Sequence, residues 1–170
     1  MFESNRRLRK RLRLRRYDYA SHGAYFVTMC TQRRLHLLDP EPVHTMIRKA
    51  WDELGRKFSN VRLDEFVVMP DHIHGIVWLV GADLRVGPQE MGGHIGPPLP
   101  RVMQWFKTMT TNEYIRGVKQ HRWTQFCGKL WQRNYYERVI RNDRELYETR
   151  QYIRHNPVVW EYGAEIKYPW

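Results

Sequence analysis

Cysteine is nearly absent from this chain. The 170 residues contain only Cys30 and Cys127, far apart and in no CxxC pair. That excludes a zinc knuckle or a disulfide framework and leaves two reduced thiols, read as core residues of a cytosolic protein. Long apolar runs are missing as well. No stretch approaches the roughly 18 residues of a membrane span, and no apolar segment follows the basic N-terminus as a signal peptide requires. No GxxxxGK[ST] pattern occurs, so a nucleotide-binding P-loop is not indicated. Acidic residues are in short supply: 18 Asp and Glu face 29 Lys and Arg, a net charge of +11. An imbalance of that size points to a polyanionic partner, nucleic acid before acidic membrane.

The excess is concentrated in one block. RRLRKRLRLRR carries Arg6, Arg7, Arg9, Lys10, Arg11, Arg13, Arg15 and Arg16 with no acid between them. Such a run repels itself and becomes ordered on a phosphate backbone. Leu8, Leu12 and Leu14 are too few for a membrane-binding face. Residues 1–16 are therefore read as a basic nucleic-acid arm, and residues 17–170 as one domain.

Along that domain, AYFVTMCT (24–31) is rich in β-formers and reads as a strand. Glu41 to Phe58 reads as a helix, with Val43, Ile47, Ala50, Trp51 and Leu54 at helical spacing. VRLDEFVVMP (61–70) and HIHGIVWLV (72–80) read as strands of a hairpin turning at Pro70-Asp71. Glycine and proline alternate over 81–100, the signature of a long loop. A second helix is expected from about Val102 to Gly117, with Val102, Trp105, Phe106, Met109 and Tyr114 inward. LWQRNYYERVI (130–140) reads as a fourth strand. A last helix, capped by Asn142 or Asp143, should end near His155, because proline disfavours a helical residue before it. Strand–helix–strand–strand–helix–strand is the split βαβ, ferredoxin-like α+β plan, here with an antiparallel sheet and an extra C-terminal helix.

Chemistry enters through His72 and His74. Strand side chains alternate faces, so both imidazoles point the same way and can reach one divalent cation. A satisfied pair on a half-exposed strand is the plainer alternative. Two histidines leave the coordination shell open for a third ligand. In YIRHN, Tyr152 and Asn156 stand four apart on one helix face. Tyr152 is either a nucleophile beside a metal site or a core aromatic. Lys107, Arg116, Lys119 and Arg122 add positive charge around the second helix.

MPDHIHGIVWL, LWQRNYYERVIRN and QYIRHNPVVW, in that order and spacing, resemble the REP-associated tyrosine transposases, single-tyrosine members of the HUH nucleases. The resemblance runs over roughly 17–160 and leaves out the arm and the Gly/Pro loop. It implies a ferredoxin-like sheet with the His-hydrophobic-His motif on a central strand, and Tyr152 as nucleophile on a late helix. It also implies His72 and His74 as metal ligands for Mg²⁺ or Mn²⁺, with a polar third ligand four residues after the tyrosine, Asn156 here where relatives use Gln. One departure stands out: many relatives carry a His where this chain has Arg138. The activity implied is metal-assisted cleavage and rejoining of single-stranded DNA at hairpin, REP-like sequences through a 5′-phosphotyrosine link. The expected partner is DNA, with the basic arm and Lys107 as its contacts, and the expected state is a monomer or homodimer in the cytoplasm at the nucleoid. Tyr135 and Tyr136 are rival nucleophiles, read as strand residues on opposite faces. Surface aromatics such as Trp131 or Tyr135 are candidates for stacking bases. Three other readings stay open: a non-catalytic single-stranded or hairpin nucleic-acid-binding module on the same fold, a hydrolase in which water attacks, and an interaction protein with a membrane-facing arm.

Overall fold

The computed structural model of the protein describes residues 22–81 and 98–163. The basic arm, and the Gly/Pro loop apart from its ends, lie outside them.

Strands β1 (Gly23–Cys30), β2 (Val61–Met69), β3 (His72–Leu79) and β4 (Tyr136–Ile140) form one sheet in the order β2-β3-β1-β4, antiparallel throughout. Helices α1 (Glu41–Lys57) and α2 (Leu99–His121) connect the strands, and α3 (Asp143–Glu161) ends the described chain. This is the expected ferredoxin-like plan. Period-2 alternation divides the sheet residues between two cores. Tyr25, Val27, Met29, Ile73 and Val77 join Val43, Ile47, Trp51 and Leu54 of α1 and Val102, Phe106 and Tyr114 of α2. On the other face Ala24, Phe26, Val67, Met69, Ile76 and Ile140 meet Leu146, Tyr152 and Ile153 of α3. His72 and His74 belong to this second face, beneath α3.

Gly75, immediately after the pair, serves the first face. A Cβ there would stand 2.5 Å from the Trp51 ring, which stacks on Phe66 with centroids 4.3 Å apart. The strand therefore carries ligand-type side chains on one surface and meets the Trp51 indole on the other.

Several elements differ from their sequence reading. The fourth strand begins at Tyr136, not Leu130. Trp131 only bridges to Thr31, and the carbonyls of Gln132 and Arg133 accept from Lys107 Nζ at 2.9 and 3.1 Å instead of from a strand. Trp131 is buried, its Nε1 donating to Thr110 Oγ1 at 2.8 Å, so it cannot stack bases. Helix α2 starts at Leu99 and reaches His121, and Trp105 and Met109 sit at the edge of its buried face. Cys127 is exposed rather than in the core. Helix α3 continues through Pro157 to Glu161. A helix-interior proline costs about 3 kcal/mol. The turn beyond the proline offsets this by packing Trp160 against His36 and His72.

Gly75→Ala should destabilise the fold by about 1–3 kcal/mol, because the rigid indole must move to admit a methyl group. Urea denaturation measures this; an unchanged midpoint would contradict the packing described.

Candidate active site

Three side chains meet between β3 and α3. His72 Nε2 and His74 Nε2 are 3.1 Å apart, and the Tyr152 hydroxyl lies 3.3 Å from His74 Nε2. All three residues are buried. The inner nitrogen of each imidazole is engaged. His72 Nδ1 donates to Asp71 Oδ1 at 2.5 Å, and His74 Nδ1 bonds Thr28 Oγ1 at 2.8 Å. Thr28 is the β1 register partner of His74, so the sheet itself supplies that contact. Phe26 closes the floor, stacked on His74 at 5.4 Å and edge-on to Tyr152 at 5.9 Å.

The electrostatics follow from burial. Desolvation, reinforced by the charges of His72 and Arg34, holds His74 well below the ordinary imidazole range. Burial pushes the Asp71 carboxyl up, but the His72 hydrogen bond and the charges of His72, Arg34 and His36 outweigh it, and the net shift is downward. Asp71 is thus a carboxylate that accepts from His72 Nδ1–H and turns His72 Nε2 toward His74. A carboxylate behind one imidazole and a hydroxyl behind the other is the outer arrangement that orients histidine ligands.

Helix α3 is fixed over this site by its N-cap, where Asn142 Oδ1 accepts from the Glu145 amide at 2.9 Å, and by two ion pairs to β2. A bulge between Leu63 and Phe66 opposes two residues, Asp64 and Glu65, to one on β3. Arg150 grips Asp64 through Nε (2.9 Å) and Nη2 (2.6 Å), while Trp78 Nε1 donates to the same carboxylate at 3.0 Å. Arg154 holds Glu65 through Nε at 2.9 Å. These arginines flank Tyr152 on either side in sequence. Burial raises the Asp64 carboxyl, and the Arg150 and Trp78 hydrogen bonds bring it below its ordinary value.

Asn156 is buried on the same row of α3, one turn beyond Tyr152. Tyr152 packs against His74, and Trp160, one turn further, packs against His72 with centroids 5.9 Å apart. Asn156 therefore lies between two residues that touch the histidine pair, and its Nδ2 has no hydrogen-bond partner. Among the described residues no group of three or more His, Cys, Asp or Glu side chains can hold a metal.

The other expected residues fall as follows. Tyr136 faces Phe26 on the α3 side, and Tyr135 packs with the opposite core under Lys107, 5.4 Å from the ring centroid. Arg138 reaches Glu145 in the first turn of α3 at 3.4 Å. The arm residues Arg6 to Arg16 lie outside the described residues. Asp71, Thr28, Asp64 and Arg150 escaped the sequence reading. Asp71 had a usable signal, a carboxylate directly before the first histidine, but the other three act through partners distant in sequence.

No protein-family profile matches the chain. A Haemophilus influenzae protein described as uncharacterized is 29% identical over 170 residues, 90% of each chain. A second protein of that organism, described as a "Putative REP-associated tyrosine transposase", is 25% identical over 157 residues, covering 89% of this chain and 80% of the relative. The solved structure of a REP-associated tyrosine transposase bound to a REP hairpin superposes with a TM-score of 0.60 at 24% identity, covering 86% of this chain and 72% of that one.

The depressed His74 pKa has a measurable consequence. Above about pH 6.5 the imidazole is neutral in folded and unfolded chains alike and contributes no pH dependence. Below it the unfolded chain binds the proton first, so stability should fall with acidification by up to about 1.4 kcal/mol per pH unit. Denaturation midpoints between pH 7 and 5 check this. His74→Gln should flatten the slope, and an equal slope in both proteins would refute the assignment. The chain has the fold of a REP-associated tyrosine transposase, and its sequence resembles that family along most of its length.

Proposed function

We propose that this protein is a DNA strand transferase that cleaves and rejoins single-stranded DNA at hairpin sequences through Tyr152. The observation that carries the reading is the Tyr152 hydroxyl, buried and 3.3 Å from one of two convergent imidazoles. A core tyrosine needs no such neighbour. The hairpin preference rests on the DNA bound in the similar structure.

The residues fit a divalent cation. Two imidazole nitrogens bound in adjacent positions at about 2.1 Å from one ion stand about 3 Å apart, and the two Nε2 atoms are 3.1 Å apart. The Asn156 amide, whose Nδ2 has no hydrogen-bond partner, would supply the third donor with its oxygen turned inward. His72, His74 and Asn156 would hold Mg²⁺ or Mn²⁺, which when bound supplies Lewis acidity toward a non-bridging phosphate oxygen.

The chain's own residues do the rest. Asp71 and Thr28 keep each inner nitrogen engaged and each Nε2 directed at the site. Asp64 and Glu65, through Arg150 and Arg154, set the height of α3 and so the reach of the Tyr152 oxygen. That oxygen forms a bond to phosphorus while the bond from phosphorus to the 3′ oxygen breaks. The phenol proton is lost to solvent, and the leaving 3′ oxygen takes up a proton to become a hydroxyl. A phosphotyrosine ester conserves the phosphodiester, so the step reverses and strands are rejoined without ATP. Lys107 is held by the carbonyls of Gln132 and Arg133, which leaves phosphate tracking to the arm.

Incubation of the protein with labelled hairpin oligonucleotides and Mg²⁺ or Mn²⁺ should yield a denaturation-resistant protein–DNA adduct. Tyr152→Phe and His72→Ala should each abolish it. Cleavage without an adduct would favour attack by water, and binding with neither would leave a non-catalytic hairpin-binding module. The arm makes a separate claim: DNA affinity should fall on the order of a thousandfold between 50 and 200 mM salt. Removal of residues 1–16 should flatten that dependence, and affinity indifferent to salt would refute the role.

A further inference from the structure

We infer that Arg34 is a catalytic residue that contacts the DNA phosphate under attack, an assignment that rests on the strand-transfer reading above. Arg34 lies in the short turn Gln32–Arg34 that follows β1. Its φ is 58° and that of Arg33 is 59°. Two successive left-handed residues that are not glycine are uncommon, and the conformation is disfavoured for side chains of this kind. Such backbone persists where the surroundings over-determine it, most often at functional sites.

The surroundings here are specific. The Thr31 amide donates to the Asp71 carbonyl at 2.9 Å, and Thr31 Oγ1 donates to the carbonyls of Leu35 (2.7 Å) and Asp71 (3.1 Å). The Leu38 amide donates to the Pro70 carbonyl at 2.9 Å. The turn is thereby tied to the Pro70–Asp71 corner from which β3 departs. From that position Arg34 Nε pairs with Asp71 Oδ2 at 3.2 Å, while His72 Nδ1 uses the other oxygen of the same carboxylate. One carboxylate therefore orients both a guanidinium and an imidazole of the site. Nη1 donates to Cys30 Sγ at 2.9 Å, and Cys30 is the register partner of His72. The remaining amine, Nη2, has no partner among the described residues, and the side chain is 53% exposed.

An anchored guanidinium with an open edge is suited to a phosphate. Its fixed direction matters in strand transfer, because negative charge on the non-bridging oxygens must be stabilised while Tyr152 adds and the 3′ oxygen departs. Arg34 donates hydrogen bonds to one of those oxygens throughout, and no proton changes hands. A purely structural Arg34 would only neutralise Asp71, and a glycine-compatible turn would then serve as well.

The test compares single-turnover adduct formation, with metal, on hairpin DNA carrying either the ordinary phosphate or a neutral methylphosphonate at the cleavage position. Arg34→Ala should slow the reaction on phosphate by about a hundredfold or more, and should approach the wild-type rate on methylphosphonate, where there is no charge to compensate. Arg34→Lys should recover only part of the loss. Arg34→Gly removes the left-handed penalty, so it should melt no lower than the wild type while reacting as slowly as Arg34→Ala; Arg33→Gly should react normally. Equal losses on both substrates would overturn the inference and assign Arg34 to holding Asp71 and His72. Undiminished rates in the Arg34 variants would overturn it outright. A wild-type protein that forms no adduct would instead overturn the strand-transfer reading, and the inference with it.

Discussion

Two imidazoles can be buried in contact only if at least one of them stays uncharged and each inner nitrogen has somewhere to bond. Most of the second sheet face can be understood from this constraint. His74 meets it by deep burial and by the Thr28 hydroxyl directly across the β1–β3 ladder. His72 meets it through Asp71, which the hairpin corner places one residue before it. The outcome is a pair of Nε2 atoms facing each other at 3.1 Å, an arrangement that is repulsive unless a proton or a cation is shared between them. Tyr152 is brought to that same spot.

Bringing it there requires a helix held at a defined height, and apolar packing alone would permit sliding along the sheet. The β2 bulge removes that freedom. By opposing Asp64 and Glu65 to a single residue of β3 it gives Arg150 and Arg154, one helical turn apart on α3, a fixed anchor each. Exposed ion pairs are worth little, but Asp64 is shielded, receives four hydrogen bonds and sits below its ordinary pKa. Its contribution is register more than stability. The helix then continues past Pro157 and brings Trp160 against His72.

The sheet plan and the His-hydrophobic-His placement were legible because they depend on local alternation and on helical spacing within single segments. So was the sharing of one face by Tyr152 and Asn156. The failures share a cause, which is a partner far away in sequence. Lys107 satisfies the carbonyls that would otherwise have extended β4 to Leu130. Trp131 looked like a surface aromatic until Thr110 took its indole N–H. Pro157 reads as a stop, although Trp160 beyond it has rings to pack against. Arg34 was inconspicuous as one arginine among many, and only its backbone angle and its hold on Asp71 distinguish it.

The central claim is that the tyrosine on α3, and neither tyrosine near β4, forms the bond to DNA. The most direct measurement is mass spectrometry of the tryptic digest of the covalent complex after nuclease trimming. The account predicts a nucleotide on the peptide spanning residues 151–154, which contains Tyr152. A nucleotide on the peptide spanning 134–138, which contains Tyr135 and Tyr136, would contradict it.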